Sequence, residues 1–84
     1  MVKTLRPRDY NEVIHVGHFF RQGVPVVMDL SALTDDEARP LVDFAAGLIC
    51  GRGGALDRIT SKVFLLQPDP EPYRGAGVRA LKRP

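Results

Sequence analysis

A short apolar-alternating run from Val2 to Leu5 stops at Pro7 and predicts an opening strand. Asp9 then stands where a helix cap is needed. From there Tyr10, Val13, Ile14, Gly17 and Phe20 recur at i, i+3, i+4 and i+7, with Asn11, His15, His18 and Gln22 on the opposite side. That spacing predicts an amphipathic helix, closed by Gly23. Val24 to Leu30, read as VPVVMDL, is an almost continuous apolar run of strand length, with Pro25 tolerated at its start. It predicts a buried central strand. Thr34 and Glu37 have the spacing of a capping box, so a second helix begins there. Its inner face is Leu41, Phe44, Ala45, Leu48 and Ile49, while Val42, Ala46, Gly47 and Cys50 carry the apolar surface further round. A helix apolar on two sides has two partners: its own sheet and, on this reading, the same helix of a second subunit, with Ala45, Ala46 and Gly47 permitting close approach.

Pro40 removes one helical hydrogen bond and biases Arg39 away from helical geometry, which predicts a kink or an irregular first turn. Gly51, Gly53 and Gly54 end the helix. Strands are predicted at Ala55 to Ile59 and Lys62 to Gln67, joined by a tight hairpin at Thr60-Ser61. From Pro68 onward Pro and Gly dominate and periodicity is lost, so residues 1–67 read as one core domain and 68–84 as a flexible, basic tail. The order β-α-β-α-β-β places two helices on one face of a small mixed sheet of four or five strands, an α/β fold.

With 84 residues the chain holds one small domain, which buries only about 60% of the surface its unfolded chain exposes. Cys50 is the single cysteine, so neither an intramolecular disulfide nor a cysteine-rich zinc site can brace it. Oligomerisation remains, and a homodimer is the expectation. No run approaches the length of a membrane span and Met1 leads into no signal sequence, so a soluble, cytoplasmic protein is expected. The net charge of +2 belongs to the tail, where Arg74, Arg79, Lys82 and Arg83 outnumber Asp69 and Glu71. A neutral body argues against nucleic-acid binding.

Catalytic and cofactor chemistry finds little purchase. Gly51-Arg52-Gly53-Gly54 follows a helix, whereas a phosphate loop precedes one. His15 and His18 lack further ligands, Asp35, Asp36 and Glu37 suit the N-terminal end of a helix dipole, and Cys50 has no base beside it. Asp29 at the end of the central strand suits a loop-capping carboxylate. No enzyme activity, cofactor or metal is expected. What remains is a binding surface: Lys62, Phe64 and Leu66 share one face of the last strand, near Arg58. A cationic rim beside an apolar seat suits an acidic peptide with hydrophobic anchors; equally, Phe64 and Leu66 can be core and the basic residues merely solvated.

Four segments together carry a resemblance: Pro7 to Glu12 (PRDYNE), Gly23 to Leu30 (GVPVVMDL), Leu41 to Gly47 (LVDFAAG) and Lys62 to Pro68 (KVFLLQP). Their order and spacing resemble the core domain of SepF, a bacterial cell-division protein, over Val2 to Pro68. The resemblance implies a non-enzymatic adaptor at the division septum, a small α/β dimer that binds the C-terminal tail of the tubulin-like protein FtsZ and forms larger assemblies. It places tail binding at Arg58 and Phe64, to which the strand pattern adds Lys62 and Leu66. Dimer or assembly contacts are expected from Val42, Ala45, Ala46, Ile49, Cys50, Gly53 and Gly54. The family's amphipathic membrane helix precedes the core, so membrane contact is expected only through a helix absent from these 84 residues. A SepF-like paralogue that modulates assembly of the full-length protein is the alternative, and a small nucleic-acid-binding domain a more distant one.

Overall fold

The computed structural model describes residues 1–70. Its elements follow the predicted order: β1 (Lys3–Leu5), α1 (Tyr10–Arg21), β2 (Val26–Asp29), α2 (Asp35–Arg52), β3 (Gly54–Thr60) and β4 (Val63–Pro68). They form one four-stranded sheet in the order β1-β2-β4-β3. β1 pairs parallel with β2, and β4 is antiparallel to both β2 and β3. β4 therefore returns between two parallel strands and leaves β3 on the edge.

Both helices begin on caps written in the sequence. Asp9 accepts the Glu12 amide at 2.9 Å to start α1. Thr34 and Glu37 exchange the two bonds of a capping box at 3.1 and 2.9 Å, which satisfies two otherwise orphan amides at the start of α2. The first turn of α2 is thus regular, and Pro40 sits in the second turn of an unbroken helix. The irregular first turn expected from Pro40 does not occur, because the proline forfeits only one hydrogen bond and its own side chain is exposed.

The core lies on one face of the sheet, where the register aligns Leu5, Met28, Phe64 and Arg58 in one row and Val26, Leu66 and Leu56 in the next. Val26, Met28 and Leu66 are fully buried there, covered by Val13, Val16 and Phe20 of α1 and by Ala38, Leu41 and Ala45 of α2. Burial of each of the larger side chains contributes about 1.5–3 kcal/mol. The buried stripe of α1 is Val13, Val16, Gly17 and Phe20, so Tyr10 and Ile14, expected inside, stand exposed at one side. Gly17 lets the helices close: a Cβ there would sit 3.1 Å from Cζ of Phe44.

The connection after α2 turns on Gly53, at φ +95°, and Gly54, at φ +155°. A Cβ on Gly54 would collide with the carbonyl oxygen of Gln67, so the strand can lie against β4 only with glycine there. The turn between β3 and β4 falls at Ser61-Lys62, with a register shift between Arg58 and Thr60 that leaves Ile59 unmatched and exposed. β4 extends through Pro68, and beyond it Asp69 donates its amide to Gly53 while its carbonyl accepts from Arg52 at 3.0 Å. The Arg52 guanidinium also lies 5.7 Å from the Phe20 ring centre. Pro68 and Asp69, assigned by sequence to the tail, are therefore bonded into the fold; residues 71–84 of that tail lie outside the described residues.

Candidate functional site

The sheet row that ends in Phe64 and Arg58 runs out from under α2, and the N-terminal half of that helix forms the opposite wall. Between them lies a groove of about 370 Å³ lined by Ala38, Arg39 and Val42 of α2, Arg58 and Phe64 of the strands, and Ser61 and Lys62 of the turn, with Asp35 at its rim. That volume is at the small end of ligand clefts, which run about 300–1,000 Å³, and suits one or two side chains of an extended chain better than a cofactor.

The groove is asymmetric in charge. Arg58 reaches across its cross-strand partner and places its guanidinium 5.3 Å from the Phe64 ring centre. Phe64 is only 4% exposed, so the ring serves the core and the guanidinium roofs it. Lys62 is held inward, its ammonium donating to the Leu33 carbonyl and standing 3.4 Å from the Asp35 carboxylate. Arg39 and Arg58 have no carboxylate within ion-pair distance among the described residues. The result is two open guanidinium groups beside an apolar wall of Ala38 and Val42, an arrangement that attracts carboxylates on a ligand with apolar side chains.

Of the four peptide-contact residues expected from sequence, Arg58, Lys62 and Phe64 come together here and Leu66 does not: it is fully buried in the core, where period-two alternation puts it one row deeper on the same face. Arg39 was missed, although its i, i+3 spacing from Val42 marks the two as neighbours on one helix side. The seven residues expected at an assembly interface divide as well. Val42 lines the groove, Ala45 is fully buried, Ile49 packs against the core, and Gly53 and Gly54 form the turn after α2. Of the seven, Ala46 and Cys50 alone are exposed. Ala45 lies on the inner face of α2, as its spacing of one turn from Leu41 predicts, and its burial leaves nothing of it for the assembly contact also expected there.

Asp29 does what its position suggests. It accepts from the Ser31 hydroxyl at 2.6 Å and the Ser31 amide at 2.9 Å, and Arg6 lies 3.3 Å away. These contacts, the Ser31 hydroxyl foremost, hold its carboxyl below the usual carboxylate range. Glu12 is likewise lowered, chiefly by its hydrogen bond from the Arg8 side chain. Among the described residues no three His, Cys, Asp or Glu side chains converge as a metal site, and no helix is long and apolar enough to cross a membrane.

Comparison with known proteins places this sequence and fold. The family model described as "Cell division protein SepF" matches residues 2–70. Curated relatives named Cell division protein SepF from Thermobifida fusca and Acidothermus cellulolyticus are 54% and 57% identical over 67 residues, 80% of this chain. A relative named Cell division protein SepF 2 from Streptomyces avermitilis is 52% identical over the same length. The chain spans 39%, 38% and 32% of the lengths of these three relatives. A solved SepF-like protein from Archaeoglobus fulgidus shares the fold, with a TM-score of 0.75 over 83% of this chain and 87% of its own at 15% identity. On its sequence match and on a fold with two helices over a mixed four-stranded sheet, the chain belongs to the SepF family of cell-division proteins.

Proposed function

We propose that the groove between α2 and the β3–β4 turn receives the C-terminal tail of FtsZ, and that the chain works as a non-enzymatic homodimeric adaptor that organises the division ring at the septum. The observation that carries this reading is the pair of guanidinium groups, on Arg39 and Arg58, left without internal carboxylates beside the apolar side chains of Ala38 and Val42. An acidic peptide with hydrophobic anchors is the complement of such a surface, and membership of a cell-division family makes the tail of the ring-forming protein the candidate for it.

Dimerisation is supported by a second feature. Tyr10 and Ile14 are 57% and 58% exposed on α1, and the Tyr10 ring meets Phe44 of α2 edge-on at 6.0 Å. Phe44 thus brings the apolar surface of α1 against α2, where Gly47 and Gly51, three and seven residues on, are exposed small residues of the same side. A layer of this kind on a domain with so small a core is suited to packing against a second copy.

The reading is tested by calorimetric titration of the protein with the C-terminal tail peptide of FtsZ from the same organism, with mass measured by light scattering. Saturable micromolar binding to a dimer is expected. A folded protein that leaves the peptide unbound would overturn the assignment.

A further inference from the structure

The positions of three cations around one groove point to a division of labour that their charges alone do not reveal. Lys62 is 25% exposed at its side chain, and its ammonium is occupied by the Leu33 carbonyl and the Asp35 carboxylate. It ties the β3–β4 turn to the loop that precedes α2. Arg58 is extended over Phe64 from the strand side, and Arg39 lines the groove from the helix side. Neither arginine has an ion-pair partner among the described residues. The apolar contribution of Val42, one helical turn beyond Arg39, comes from the same wall of the groove.

We infer that Arg39 is a specificity-determining residue of this groove: with Arg58 it forms a two-sided guanidinium clamp that selects an acidic peptide with apolar side chains, while Lys62 is a positioning residue that shapes the groove without touching the peptide carboxylates. This inference rests on the reading of the groove as a peptide site. The reasoning is electrostatic and geometric. Arginine offers a planar, permanently charged fork matched to a carboxylate, and two such forks on opposite walls give an acidic ligand a seat on each side of the groove. An ammonium already neutralised by Asp35 and bonded to a carbonyl has little left to offer a ligand. Phosphate chains would find the same charge but would gain nothing from Val42 and Ala38, and no exposed aromatic ring in the groove offers a base a stacking platform.

Arg39 is well placed for a test because it is exposed and its replacement leaves the core intact. A carboxylate in the N-terminal half of α2 is moreover on the favourable side of the helix dipole. Two probes are titrated into the full chain: the FtsZ tail peptide, and a short synthetic peptide with leucine flanked by aspartates, each also in a form with the acidic residues amidated. Arg39→Gln should weaken binding of the acidic forms about 3- to 5-fold and flatten their salt dependence, and Arg39→Glu should weaken it more than about 10-fold. The amidated forms should be insensitive to Arg39. Lys62→Met should lower the melting temperature yet leave the salt dependence of binding at its original slope.

Unchanged affinity in Arg39→Glu with the tail peptide still bound would overturn the clamp and leave the proposed function standing. Binding of the synthetic peptide without the tail peptide would support the clamp and overturn the choice of FtsZ. Failure of both peptides to bind would overturn the clamp together with the reading beneath it, as would tighter salt-dependent binding of a random oligonucleotide at Arg39 and Arg58.

Discussion

Arg58 and Phe64 are cross-strand partners whose side chains stack, with the guanidinium 5.3 Å from the ring centre. One residue of the pair belongs to the core and the other to the surface, so the two are not interchangeable targets. The ring anchors the outer edge of the core, and the arginine converts that edge into a charged rim.

Replacing Arg58 should therefore affect recognition and spare folding. Arg58→Glu is expected to reduce FtsZ tail affinity by about 10-fold or more, with a loss that shrinks as salt is raised, because it turns an attraction into a repulsion. Fluorescence anisotropy with a labelled tail peptide at two salt concentrations, beside a thermal melt, checks both halves of the statement.

Phe64→Ala is a different experiment. Truncating a ring that is 4% exposed removes about 3–5 kcal/mol of stability, a large share of the roughly 5–15 kcal/mol that holds a small domain folded. Urea unfolding should show a much lower midpoint, and any loss of peptide binding in this variant would reflect a damaged fold as much as a missing contact.

The return of the chain after α2 depends on Gly54. A side chain there meets the Gln67 carbonyl and lies 3.1 Å from the Phe20 ring, at a φ of +155° that other residues rarely adopt. Gly54→Ala is expected to cost at least about 1–3 kcal/mol from backbone strain alone. Circular dichroism during thermal unfolding should record the loss.

Asp29 gives the domain an acid-sensitive contact. Its carboxyl is held below its ordinary value by Ser31 and Arg6, so the folded state binds its proton less readily than the unfolded chain does. The corresponding stability is fully present above the usual Asp value near about 3.9 and is lost as pH falls through the lower folded value. Asp29→Asn should be less stable than the parent at neutral pH and converge with it in strong acid. Equal differences in melting temperature at pH 7 and pH 2.5 would contradict the assignment.

The elements of this fold are local statements, which is why the residue pattern revealed them. The Thr34–Glu37 box, the Asp9 cap and the strand-length run around Val26 to Asp29 each announce themselves within a few residues. The sheet order is a long-range choice: nothing near β4 says that it inserts between β2 and β3. Helix faces fell between these cases. Tyr10, Val13, Ile14 and Gly17 fit one apolar stripe, but the helix turned towards Val16, and only the packing of Phe20 and Val13 on the sheet decides between the two. In the groove, Arg58 and Phe64 were visible because two strands carried them, whereas Arg39 enters from a helix remote in sequence. Period two also brought Leu66 into the peptide site, although that period shows which face a residue occupies and not how deep it lies.

The central claim is that an acidic peptide docks between α2 and the β3–β4 turn. Amide chemical-shift mapping of the labelled protein, titrated with the FtsZ tail peptide, tests it most directly. Progressive shifts should cluster at Ala38, Arg39, Val42, Arg58, Ser61 and Phe64, and the far face of the sheet at Thr4, Val27 and Asp57 should stay unchanged. Shifts confined to that far face, or none at saturating peptide, would contradict the account.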